Sequence, residues 1–123
     1  MSNSTQTNPT LNKNLQPQNE AFIYVRSAHA NQLQLQSQVR SLQEQATTLD
    51  FICEQAFEDR CSGMTEPTMR PGFLNLIKAI QDTPTVSAIL VSDHARISRS
   101  LADLSVIENL LKDFGVDIIY AEE

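Results

Sequence analysis

Ala21-Phe22-Ile23-Tyr24-Val25-Arg26-Ser27-Ala28 is the stretch on which the reading of this chain turns. Five apolar residues in a row, bounded by polar ones, predict a buried strand over residues 21–26. The run stops in an arginine and a hydroxyl. In an α/β domain, a buried strand that ends in polar, anion-seeking side chains marks the edge where ligands bind.

Reading outward from that strand, residues 32–49 place Leu35, Val39, Leu42, Ala46 and Leu49 on one helical face, with glutamines opposite. This is the pattern of a surface helix packed on a sheet. Residues 50–57, with Phe51, Ile52, Cys53, Ala56 and Phe57, predict a second strand, and residues 58–69 an aperiodic loop with Gly63 and Pro67. Arg70-Pro71-Gly72 opens a second helix, because a proline in the first turn gives up no hydrogen bond. Phe73, Leu74, Ile77 and Ile80 form its expected buried stripe, and Asp82-Thr83-Pro84 stops it.

Residues 86–91 predict a third strand and residues 92–99 a polar loop. Ser100 and Asp103 form a candidate capping box for a helix striped by Leu101, Leu104, Ile107, Leu111 and Phe114. Gly115 is the expected C-cap glycine, and residues 116–120 the fourth strand. The order β-α-β-α-β-α-β implies an α/β fold: a mainly parallel four-stranded sheet with helices on both faces, in three layers. One domain is expected over residues 21–123. Residues 1–20, rich in Asn, Gln, Ser and Thr with Pro9 and Pro17, are expected to be a disordered polar leader.

Composition narrows the function. The net charge is -6, from 15 acidic against 9 basic residues, which excludes a chain that coats nucleic acid by its own bulk charge. Yet Arg26, Arg60, Arg70, Arg96 and Arg99 all fall at or near predicted strand ends, and Arg40 alone does not. Cys53 lies in an apolar run and reads as core, and Cys61 lies in a loop. Their spacing fits no zinc motif, and no disulfide between them is expected. No early segment has the apolar length of a signal peptide or membrane span, so a cytoplasmic protein is expected.

The strand ends read Arg26-Ser27-Ala28, then Glu58-Asp59-Arg60-Cys61-Ser62-Gly63, then Ser92 to Arg99, then Tyr120-Ala121-Glu122. Guanidinium forks at one edge suit phosphate oxygens, since they donate paired hydrogen bonds and keep their charge. Arg96 and Arg99, three apart, would share a face if the following helix began early. His29 and His94 are isolated, so no metal site is expected. Gly63 and Gly72 are too far apart for a dinucleotide fingerprint, so no nucleotide or nicotinamide cofactor is expected.

Three of these segments resemble, in order, the motifs of the serine recombinases, the resolvase and invertase family. Tyr24-Val25-Arg26 with Gln32 and Gln38 is similar to the first motif. Residues 57–63 with Arg70-Pro71-Gly72-Phe73 are similar to the second, and residues 96–104 to the third. Leu110-Leu111-Lys112-Asp113-Phe114-Gly115-Val116 resembles the family's last helix and strand. The resemblance implies a metal-independent DNA strand exchange, without cofactor. A serine attacks a phosphodiester, and arginines stabilise the five-coordinate phosphorus. It implies catalytic roles for Arg26, Arg70, Arg96 and Arg99, pocket-shaping roles for Asp59 and Ser62, and a supporting role for Tyr24. The partners it implies are DNA and other recombinase subunits, including further copies of this chain.

The chain departs from that pattern. Ala28 occupies the nucleophile position and Ser27 the aliphatic position before it. On a strand, residues 24, 26 and 28 share a face and residue 27 points away. Ser27 serves as nucleophile only if the strand ends early and the loop re-aims it. Ala95 stands where an aspartate usually precedes the third-motif arginine, with Asp93 two residues upstream. The family's long dimerisation helix and basic DNA-binding domain are not expected in this chain, so DNA binding should be weak. Two readings follow: a strand-exchange domain impaired at its nucleophile, or a non-catalytic remnant or regulator that binds a partner.

Overall fold

The structure, a computed structural model, describes residues 19–29 and 31–122. The predicted leader lies outside these residues apart from Asn19 and Glu20. Four strands, β1 (Glu20–Ser27), β2 (Ile52–Arg60), β3 (Val86–Val91) and β4 (Asp117–Tyr120), make one sheet in the order β2-β1-β3-β4. Every pairing is parallel. All four carboxyl ends therefore share one edge. Helix α1 (Gln32–Thr48) covers one face, and α2 (Pro71–Asp82) and α3 (Leu101–Asp113) cover the other. This is the three-layer parallel α/β fold that the alternation of elements predicts.

Strand β1 is central, which explains its unbroken apolar run: a strand buried on both faces has no polar side to show. Ala21, Ile23 and Val25 pack with Leu35, Leu42 and Ala46 of α1. Phe22 and Tyr24 pack with Phe73, Leu76 and Ile80 of α2 and with Leu104, Ile107 and Leu111 of α3. Burying such side chains contributes roughly 1.5–3 kcal/mol each. Two edge-to-face pairs, Phe22–Phe57 at 5.3 Å and Tyr24–Phe73 at 5.6 Å, tie β1 to its neighbours on that side.

Helix ends follow local chemistry. Asn31 and Ser100 cap α1 and α3 by accepting from the backbone N–H of Gln34 and Asp103. The expected capping box is half formed, because the Ser100 N–H donates to Ser98 Oγ instead. At the C-terminus of α3, Gly115 sits at φ 77°, and the N–H groups of Val116 and Gly115 reach back to the Leu111 and Lys112 carbonyls. The same closure ends α1. There Asp50, not glycine, takes the positive φ, at 63°, while Phe51 and Asp50 bond back to Ala46 and Thr47.

Several boundary and burial expectations need correction. Strand β2 runs on to Arg60, through residues expected to be loop, because parallel pairing continues to Ser27↔Arg60. As the sheet's edge strand it leaves Cys53 half-buried rather than in the core. Leu74, Leu101 and Phe114, expected on buried stripes, are 49%, 75% and 37% exposed. In α2 the inward face runs through Phe73, Leu76 and Ile80, and Leu74 falls off it by one step. Helix α3 begins at Leu101, so Arg96 and Arg99 do not share a helical face; Arg96 belongs to a separate 3-10 turn, His94–Arg96.

Candidate anion-binding site

The carboxyl edge of the sheet gathers arginines from three chain segments. Arg26 comes from the end of β1, Arg70 immediately precedes α2, and Arg96 and Arg99 come from the connection between β3 and α3. Arg26 and Arg70 are buried, at 2% and 0% exposure, which is exceptional for guanidinium groups. Arg60, expected on the same rim, is exposed and lies 3.7 Å from Glu58. Its register places it opposite Ser27, one step out of phase with Asp59.

Backbone carbonyls hold the buried pair. Arg26 donates from Nη1 to the Cys61 carbonyl at 2.9 Å and from Nη2 to the Ala95 carbonyl at 3.0 Å. Arg70 donates to the carbonyls of Thr65 at 3.0 Å, Arg96 at 2.9 Å and Gly63 at 3.5 Å. These bonds staple the β2–α2 loop and the His94–Arg96 turn onto β1. Among the described residues, neither Arg26 nor Arg70 has a carboxylate within salt-bridge distance, and Arg26 Nε is buried without a partner. Carbonyls satisfy donors but leave the charge in place. Burial pushes the Arg26 pKa down, and the positive fields of Arg70 and Arg96 push it further.

Arg96 donates from Nη1 to the Arg26 carbonyl at 3.3 Å. Arg99 is exposed and has no hydrogen bond or ion pair among the described residues. Gly63 brings it to the cluster. A Cβ on Gly63 would lie 2.8 Å from Arg99 Nε and 2.9 Å from Arg26 Nη2, so the two guanidinium groups flank one point. The arginines thus divide into two sorts: Arg26 and Arg70 have donors committed to the fold, while Arg99 has its whole fork available.

Beneath them Asp59 fixes the second layer. Its carboxylate accepts from Tyr24 Oη at 2.7 Å, Gly72 N at 2.7 Å and Phe73 N at 2.8 Å. It therefore caps α2 from a neighbouring strand, satisfying two donors that the first turn would otherwise leave orphaned. Tyr24 Oη also accepts weakly from Arg70 Nη1 at 3.4 Å. Burial, and then the hydrogen bond to the Asp59 carboxylate, push the Tyr24 phenol well above its ordinary pKa, against the weaker pull of Arg70. A raised folded-state value means that this group's stabilisation is complete below about pH 10 and is lost as pH rises above that. The limiting slope is about -1.4 kcal/mol per pH unit. Urea unfolding should show about half that slope near pH 10 and nearly all of it above about pH 11, and Tyr24→Phe should remove this contribution.

The expected nucleophile region is arranged differently. Ser27 is still within β1 and follows the parity of Val25, on the α1 side, opposite Tyr24 and Arg26. Its Oγ accepts from the His29 N–H at 3.2 Å. Ala28 lies just past the strand, exposed, on Arg26's parity. Ser62 is exposed, and its Oγ accepts from Met64 N at 3.0 Å. The structure therefore brings Tyr24, Arg26, Asp59, Arg70, Arg96 and Arg99 to one region and turns Ser27 from it. Cavities of about 330 Å³ and 210 Å³ lie elsewhere, the first lined by residues such as Glu108 and Lys112 and the second by Pro67 and Val106.

Sequence reasoning missed the carbonyls of Cys61, Gly63, Thr65 and Ala95, for which no residue type carries a signal. It also missed the close approach at Gly72, which the Arg-Pro-Gly spelling alone could have flagged.

Fold and site together define a class: a parallel three-layer α/β domain with an arginine cluster at the carboxyl edge of its sheet. The model of the Resolvase family, N terminal domain, matches residues 21–123, and the chain belongs to that family. Among solved structures it is similar to the C-terminal catalytic domain of ISC1926 TnpA, an IS607-like serine recombinase. The identity is 27% and the TM-score 0.73, over 83% of this chain and 67% of that one. A serine recombinase from Sulfolobus solfataricus matches at 26% identity and TM-score 0.67, over 85% and 71% of the two chains. The N-terminal catalytic domain of TP901-1 integrase shares the fold at 23% identity and TM-score 0.72, over 83% and 77%. No curated protein matches.

Proposed function

We propose that this chain is a DNA-phosphate-binding domain of the serine recombinase type, built for site-specific strand exchange but impaired in it because Ala28 stands at the nucleophile position. The observation that carries this reading is the convergence of Arg26, Arg70, Arg96 and Arg99 on one edge, with no carboxylate among the described residues paired to the two buried ones. Uncompensated buried charge costs several kcal/mol. A phosphodiester oxygen arriving at that edge would supply the missing counter-charge, with Arg99 and the outer donors of Arg96 making direct contact. Arg26 and Arg70 would act through their field and by holding the loops.

Ala28 has no hydroxyl to attack phosphorus, and the parity of Ser27 aims its hydroxyl away. The partners in this reading are DNA, bound weakly and salt-sensitively, and recombinase subunits, including further copies of this chain. It needs no metal or cofactor, and its compartment is the cytoplasm. The impaired nucleophile favours a regulatory or remnant role over independent recombination.

Two measurements test the proposal. Inorganic phosphate should raise the melting temperature, by the equivalent of about 2.7 kcal/mol at a hundred times its Kd. Arg99→Ala should abolish the protection with little change of the melting temperature in plain buffer, since Arg99 makes no hydrogen bond or ion pair among the described residues. An unchanged phosphate response would sink the anion reading. The chain should also leave supercoiled plasmid intact, and a covalent 5′-DNA adduct on Ser27 from a suicide substrate would overturn the impairment.

A further inference from the structure

We infer that Asp93 is a positioning residue for Arg96, holding that guanidinium at the carboxyl edge of the sheet from the start of the same turn. The inference rests on the anion-site reading above and names the residue that keeps one of its arginines in place.

Asp93 works in two directions. Its Oδ1 accepts from the Ala95 N–H at 3.0 Å and so closes the N-terminus of the turn that carries Arg96. Its Oδ2 lies 3.9 Å from Arg96 Nε. That Nε is buried and has no hydrogen-bond partner, so this carboxylate is its nearest compensation. The backbone joins in, with Arg96 N–H donating to the Asp93 carbonyl at 3.1 Å.

On its other side Arg96 faces like charge. Its Nη1 reaches the Arg26 carbonyl, and its field reaches the Arg26 guanidinium. Left alone, repulsion from Arg26 would favour rotamers that swing Arg96 outward into water. An acid on the same short turn opposes that swing. Residue 95 cannot do so, having no side-chain oxygen, and its carbonyl is taken by Arg26 Nη2. Asp93 and Arg96 are each about one-third exposed, so the pair is screened and its effect moderate.

A second effect of Asp93 has the opposite sign, which makes the inference sharp. A carboxylate at the rim repels an incoming anion. If Asp93 were only a rim charge, removing it would tighten phosphate binding. If it positions Arg96, removing it weakens binding despite the gain in positive field.

The variant that separates these is Asp93→Asn, because the amide oxygen still accepts from Ala95 N–H and preserves the turn. Titrating inorganic phosphate by calorimetry at low salt should show binding about fivefold weaker than in the unaltered chain, the scale of one partly exposed ion pair. Equal or tighter binding by Asp93→Asn overturns the inference. The second readout needs no ligand: the Arg96 Nε–H resonance should exchange slowly in the unaltered chain and broaden in Asp93→Asn. An unmoved resonance also overturns the inference. If the unaltered chain binds no phosphate while the resonance still depends on Asp93, the anion site fails and the positioning stands.

Discussion

Replacing Gly72 by alanine should destabilise the domain by at least about 3 kcal/mol, or prevent folding at ambient temperature. A Cβ on Gly72 would overlap the Glu58 carbonyl oxygen and stand 2.8 Å from its carbon, with Asp59 Oδ2 also at 2.8 Å. Two of these contacts are backbone atoms of a paired strand, which cannot rotate aside as a side-chain tip could. Relief requires α2 to back away from β2. That movement would break the bonds from Gly72 N and Phe73 N to Asp59. The conformational gain that alanine normally brings to a helix, up to about 1 kcal/mol, is too small to compensate. Thermal unfolding should show the melting temperature fall by more than 10 °C, taking about 4–8 °C per kcal/mol for a domain of this size. A change within a few degrees would mean that α2 and β2 do not approach as closely as described.

Asp59→Ala should cost about 3 kcal/mol or more, because three donors lose one acceptor group together. Tyr24 Oη, Gly72 N and Phe73 N all point at this buried carboxylate, and among the described residues no other side chain accepts from them. Asp59→Asn should fall between, since one amide oxygen remains to accept while the NH₂ group meets a donor. Urea unfolding should show a lower midpoint with an unchanged m-value, the sign of lost stability rather than altered compactness. Loss of this carboxylate should also loosen Arg70, which immediately precedes the helix that Asp59 caps. Phosphate protection should therefore weaken in Asp59→Asn even where the fold survives.

Much of this was legible in the chain of residues, for identifiable reasons. The five-residue apolar run at the start of β1 could be read because a strand buried on both faces has no polar alternation to dilute it. The caps at Ser100 and Gly115 were readable because each depends on one residue's own chemistry. The end of β2 was not, because Glu58, Asp59 and Arg60 are strand residues only by virtue of the partners that β1 offers them. Leu74 and Leu101 misled for a related reason. Helical phase depends on where the first turn begins, and that is settled by what packs above it.

The site divides along the same line. That arginines would collect near strand ends is written in the order of residues, since parallel strands carry their carboxyl ends to one edge. Which of those arginines are spent on the fold and which stay open is not. Arg26 and Arg70 are committed to carbonyls 5 to 69 positions away in the chain, Arg60 is turned out by strand parity, and Arg99 is brought to Arg26 only because Gly63 leaves room. Residue types specify the charge that a chain carries. Tertiary packing specifies where each charge finds a partner, because partnership depends on distances that sequence order does not contain.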